Sequence, residues 1–213
     1  MSDSQTLRLF VHVEEPSMKE ALDNLLPSLL PATPVEVKII DHGSKKALLS
    51  NLPDRLRGYA RWADPALRVL VLVDRDDDDC LVLKTNLEKA ARAAGLPSKT
   101  VPDRQGKFQV VNRIVIEELE AWFLGDTDAL AESYPGVPPT LARKAAFRDP
   151  DAVRGGTWEA LSRVLKAAGH YAGSDRLPKI EVARRVSSKM APDRNQSNSF
   201  KMFVAGVEAL VAT

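Results

Sequence analysis

The stretch Val69–Cys80, VLVLVDRDDDDC, constrains this chain more than any other. The apolar run from Arg68 to Val73 reads as a strand buried on both faces, a property of parallel sheets covered by helices. It leads directly into Asp74, Asp76, Asp77, Asp78 and Asp79. In open α/β sheets, ligands bind beyond the carboxyl ends of the strands. If extended geometry persists past the strand, Asp74 and Asp76 share one face. Their mutual repulsion would be relieved by a hard divalent cation such as Mg²⁺ or Mn²⁺, which prefers oxygen ligands. The alternative is an acidic first turn of the next helix, favoured by the macrodipole. That suits Asp78 and Asp79 better than Asp74, which ends the most buried strand.

The surrounding pattern supports a layered α/β fold. Leu7–Val13, Val35–Ile40, Arg68–Val73 and Phe108–Ile116 read as strands. Ser17–Leu30, Ser44–Ala60, Cys80–Ala94 and a segment beginning at Glu118 read as helices, with an end or kink expected at Pro27 and a break at Pro53. This alternation predicts a mainly parallel sheet flanked by helices over residues 1–125. From 126 to 213 the pattern becomes helical, at Thr140–Phe147, Thr157–Ala168, Lys179–Ser188 and Ser199–Val211, and reads as an extension packed on the core or forming a small lobe.

Composition excludes several classes. Net charge is +1, from 30 Lys and Arg against 29 Asp and Glu, so overall charge does not point to nucleic acid. The single cysteine, Cys80, permits no internal disulfide and no cysteine zinc site. No apolar run is long enough to span a bilayer. The first residues do not read as a signal peptide, so a cytoplasmic location is expected. Phosphate-loop, dinucleotide and nucleophile-elbow motifs are missing.

Further candidates lie elsewhere. Glu14 ends the first strand in the same topological sense as Asp74; the alternative role is a helix N-terminal acid. In RIVIEELEAWFLGD, Glu117 and Glu120 share a face if helical, and Glu118 and Glu120 share one if extended. Trp122 and Phe123 read as core, and Asp126 as a helix cap. His12 reads as a packed strand residue, and His42 as part of a solvated loop that could approach a phosphate. Asp175–Lys201 holds seven cations against three acids. With Asn195, Ser197, Asn198 and Ser199 it could contact phosphates, or be an ordinary solvated face.

A strand ending in Glu followed by a strand ending in Asp-x-Asp resembles the Toprim domain of topoisomerases, primases and overcoming-lysogenisation-defect nucleases. More closely, the chain resembles a bacterial family with a Toprim-like core, domain of unknown function 4276. That resemblance rests on VEEPSMKEAL, HGSKKALLSNLPDRLRGYA, VLVLVDRDDDDC, EELEAWFLGD and NQSNSFKMF. It implies Glu14 as general acid/base or metal ligand, Asp74 and Asp76 as Mg²⁺ ligands, and Glu118 and Glu120 completing the acidic site. Metal ligation would fall to Glu14, Asp74, Asp76 and Glu118. It further implies a Mg²⁺-dependent nuclease acting on nucleic acid, encoded beside AAA- or ABC-type ATPases in phage-defence clusters. Glu15 stands where the Toprim pattern has Gly, and Met18 where it often has an acid. These departures favour an alternative, a degenerate adaptor that binds an ATPase or nucleic acid. A second enzyme alternative is a haloacid-dehalogenase-type phosphatase with Asp74 as nucleophile, although the motif falls on the third strand.

Overall fold

The buried strand β3 (Leu67–Asp74) organises the molecule, because every one of its residues is buried. Side chains alternate across a strand, so it feeds two cores. Leu70 and Leu72 join one cluster, whereas Val69, Val71 and Val73 join another. The computed structural model describes residues 6–30 and 34–212. Residues 1–5, where the signal-peptide reading begins, lie outside the described residues.

Strands β1 (Leu7–Val13), β2 (Val35–Asp41), β3 and β4 (Val110–Val115) form one all-parallel sheet in the order β2-β1-β3-β4. Helices α1 (Pro16–Leu29), α2 (Lys45–Trp62) and α3 (Cys80–Ala93) make the crossovers. The result is an α/β fold consistent with a Toprim-like arrangement. Helices α2 and α3 cover one face through Leu48, Leu52, Leu56, Leu87 and Ala91. The other face carries α1 and the C-terminal helices.

The break expected at Pro53 is corrected, and of the two alternatives at Pro27 the helix end is corrected. Neither proline ends its helix: α1 runs through Pro27 and α2 through Pro53. Proline removes one main-chain hydrogen bond. Buried stripes on either side (Leu22, Leu25 and Leu26 in α1; Leu48, Leu52 and Leu56 in α2) outweigh that loss. The expected helix at Thr140–Phe147 is two short 3₁₀ turns, Leu141–Arg143 and Ala145–Phe147. An additional helix, α5 (Thr127–Ser133), follows the short α4 (Glu120–Gly125) and is capped by Asp126, which accepts from the Ala129 N–H at 3.1 Å.

The remaining helices are α6 (Thr157–Ala167), α7 (Lys179–Ser187) and α8 (Asn198–Val211). Helix α7 packs on α1, and α8 on β4. Asn24 donates to Ser187 Oγ at 2.9 Å, and Arg184 pairs with Glu20 at 2.8 Å, joining α7 to α1. One apolar cluster runs from Leu9 and Val11 to Trp122, Phe200 and Phe203. Trp122 is fully buried, stacks on Phe203 at 4.8 Å and donates to Ser199 Oγ at 3.0 Å.

The NQSNSFKMF segment has a structural job. Asn195 donates to the Trp122 carbonyl at 2.8 Å, and Asp151 accepts from Ser197 Oγ, Ser199 N–H and Ser199 Oγ. A side chain at Gly125 would collide with Asn195 Oδ1, so only glycine admits this contact. The polar groups of Asn195, Ser197 and Ser199 are thus spent internally rather than offered to a phosphate. Four of the seven cations of this region (Lys179, Arg184, Arg185 and Arg194) are likewise paired with the protein's own acids.

Candidate functional site

The carboxyl ends of β1, β3 and β4 deliver acids to one edge of the sheet. Asp74 is the last residue of β3 and only 7% exposed. Glu14 follows β1, and its Oε1 accepts from the Asp74 N–H. Glu120 opens α4 just beyond β4 and is 2% exposed. Packing brings these three together, although they stem from distant parts of the chain.

Burial dominates the electrostatics of all three. Burial raises the Asp74 carboxyl well above its usual range, and Glu14, Glu120, Glu15 and Asp76 raise it further. Burial likewise pushes Glu14 up to about 7, against the opposing hydrogen bond from Asp74 and the nearby Lys45. Glu120 is pushed up to about 7 by burial, against the pull of Lys179. Asp74 Oδ1 and Glu120 Oε2 are buried without a hydrogen-bond partner. Buried polar atoms are nearly always paired, so two orphaned carboxylate oxygens in one cluster mark an incomplete arrangement.

Asp76 and Glu118 stand differently. Strand geometry stops at Asp74, and Asp76 has φ +48°, in the left-handed region. The expectation that Asp74 and Asp76 share a strand face is therefore corrected: a turn, closed by Asp78 N–H to the Arg75 carbonyl at 3.0 Å, separates them. Asp76 is about half exposed and pairs with Lys45 at 2.6 Å, as Asp78 does at 2.8 Å. Asp79 caps α3, accepting from the Leu81 and Val82 N–H groups.

Around Glu118 neither the helical nor the extended alternative holds. Residues 116 and 117 form a bend and 119 a turn, with Glu117 at φ +20° and its carbonyl accepting from the Asp76 N–H at 2.9 Å. Glu118 is half-buried, and burial raises its carboxyl. With Asp76, Arg75, Glu117, Glu159, Gly155 and Gly156 it lines an open cleft of about 350 Å³.

Two lysines at the site are visible in the sequence only as members of charged segments. Lys179 opens α7, which the α1–α7 packing carries to this edge. Its Nζ lies 3.6 Å from Glu15 Oε1 and 5.0 Å from the centre of the Trp158 ring. Burial works against its charge, but Glu120, Glu15, Glu118 and Asp74 keep it protonated. Lys45 opens α2, and its Nζ also donates to the Arg75 carbonyl at 3.1 Å. No local signal marks either lysine; only the topology brings them here.

The donor set is hard, anionic and oxygen-based, which matches Mg²⁺ or Mn²⁺. Six carboxyl groups (Glu14, Glu15, Asp74, Asp76, Glu118 and Glu120) face two ammonium groups, and burial pushes Asp74, Glu14 and Glu120 toward their neutral forms. As the side chains stand, no group of three His, Cys, Asp or Glu residues is arranged to hold one ion, among the described residues. Lys45 occupies an oxygen of Asp76, and coordination there requires its release. Asp74 Oδ1 and Glu120 Oε2, by contrast, carry no hydrogen-bond partner that a cation would have to displace.

A second polar cluster lies beside the first. Fully buried His12 on β1 has Nδ1 2.9 Å from His42 Nε2 and Nε2 3.0 Å from Tyr59 Oη. Burial lowers His12 to about 3, so it is neutral. His42 is therefore tied to His12 rather than free in a solvated loop.

No helix among the described residues is long and apolar enough to cross a membrane. No curated protein matches the chain, and no solved structure does. Residues 13–208 match the model of the family described as Domain of unknown function (DUF4276), and the chain belongs to that family.

Proposed function

We propose that this protein is a Toprim-like, divalent-metal-dependent phosphodiester hydrolase acting on nucleic acid. The observation that carries this reading is the buried convergence of Glu14, Asp74 and Glu120, with two orphaned oxygens, at the carboxyl edge of the sheet. Burying like charges without compensation costs several kcal/mol, to order of magnitude. A site of that kind is kept for a ligand of opposite charge.

Glu14, Asp74, Asp76 and Glu118 would hold Mg²⁺ or Mn²⁺, with Glu120 behind them. Such an ion, when bound, supplies positive charge to the oxygens of a phosphodiester undergoing hydrolysis. Glu14 would serve either as a ligand of that ion or, left free of it, as the group that accepts a proton from the attacking water. Lys179 is held charged at the site and is suited to face a phosphate oxygen. Family resemblance adds an AAA- or ABC-type ATPase as partner and phage defence as setting.

A second reading, a non-catalytic adaptor for such an ATPase, is favoured by one observation. Lys45 already neutralises Asp76 and Asp78, closing part of the acidic loop.

The test is cleavage of single- and double-stranded DNA and RNA with Mg²⁺ or Mn²⁺, alone and with the neighbouring ATPase. The nuclease reading expects Asp74→Asn and Glu14→Gln to reduce cleavage at least about 10²-fold while remaining folded. Cleavage that survives both substitutions overturns it. Folded protein that retains the ATPase but never cleaves supports the adaptor.

A further inference from the structure

The outer edge of β2 pairs with no strand among the described residues. It runs seven residues without an internal proline, and Glu36, Val37, Lys38 and Asp41 are exposed. Such an edge presents unpaired N–H and C=O groups that can template another strand.

Its geometry selects the partner. In a parallel pair, only alternate residues of a strand bond to a given neighbour. The His42 N–H donates to the Val13 carbonyl at 3.1 Å, so the even-numbered residues bond toward β1. Val35, Val37 and Ile39 therefore present their main-chain groups outward. Their side chains lie on the α1 face, where Val35 and Ile39 pack against the main core. Val37 and Ile39 line a shallow groove there with Leu22, Leu26, Pro27 and Leu30 of the α1 region. Strand alternation sends the Glu36 and Lys38 side chains to the opposite face, and Lys38 also borders the groove.

We infer that β2 pairs antiparallel with β2 of a second copy, about a two-fold axis through Val37. The two four-stranded sheets would then become one continuous sheet. Outward-bonding residues must face each other, so only registers that match odd with odd are possible. Centring on Glu36 or Lys38 sets that charge against its own copy. Centring on Val35 or Ile39 leaves Glu36 and Lys38 without opposite-charge partners. With Val37 at the axis, Glu36 faces Lys38 twice, and Val35 faces Ile39 twice. Opposite-charge and β-branched cross-strand pairs both stabilise a sheet. The strand is thus self-complementary in one register, as a two-fold interface requires. Antiparallel joining also sends the two acidic sites to opposite edges of the joined sheet, leaving both open.

Sedimentation velocity of the full chain over a concentration series tests this. Wild type is expected to dimerise reversibly. Glu36→Lys alone, or Lys38→Glu alone, sets like charges face to face twice and should raise the dimer Kd by about tenfold or more. The double variant Glu36→Lys/Lys38→Glu should recover wild-type association. Val37→Pro removes an outward N–H and no bond to β1, and should leave a folded monomer by circular dichroism. The proposal is overturned by a wild type that stays monomeric at the highest soluble concentration. A dimer indifferent to the single reversals, or a double variant that does not recover, overturns it equally.

Discussion

Two polar clusters meet the end of β1 two residues apart, at His12 and Glu14, and are built on opposite principles. His12, His42 and Tyr59 form a chain of hydrogen bonds at 2.9 and 3.0 Å. Glu14, Asp74 and Glu120 crowd like groups together and leave Asp74 Oδ1 and Glu120 Oε2 unpaired. The first cluster is complete without a ligand and contributes to the fold. The second opposes folding when it ionises. The two clusters differ in the satisfaction of their polar atoms rather than in burial or proximity.

The comparison breaks most readily at His12. His12→Ala removes two buried bonds, strands Tyr59 Oη and opens a cavity. We expect a loss of about 2–4 kcal/mol of stability in urea denaturation. A near-neutral result would mean that the histidine cluster is not structural. The acidic cluster should respond with the opposite sign. Glu120→Gln keeps the shape and removes a buried charge, and should stabilise the protein by about 1–3 kcal/mol at pH 8. A destabilised variant at that pH would mean that the cluster is already compensated.

Smaller effects appear in the pH dependence of stability, where the clusters pull in opposite directions. His12 is lowered from 6.5 to about 3 on folding. Its contribution is complete above pH 6.5 and is lost as pH falls toward 3. Glu14 and Glu120 are raised from 4.5 to about 7. Their contribution is complete below pH 4.5 and is lost as pH rises through 7. Melting temperatures should therefore fall on both sides of mildly acidic pH. Glu120→Gln should flatten only the alkaline limb. An unchanged alkaline limb in Glu120→Gln would contradict the assignment.

Much of this arrangement is legible in the sequence, and the rest is hidden for physical reasons. The strands and the first three helices follow from apolar periodicity, because β3 and the leucine stripes are dictated by burial. Asp74 is legible as the end of a buried strand, and Glu14 by analogy with it. The position of Asp76 is not, because a left-handed turn and an ion pair to Lys45 redirect it. Helix α5 is only seven residues long and carries too little periodicity to read. Lys179 reads as one cation among seven, and the packing of α7 on α1 alone carries it to Glu15.

The most direct test of the central claim is calorimetric titration of Mn²⁺ and Mg²⁺ into wild type and Asp74→Asn. The account predicts millimolar or tighter binding to wild type, with a rise in melting temperature, and loss of both effects in a variant that is itself more stable without metal. Equal binding by the two proteins, or no binding by a folded wild type, would contradict it.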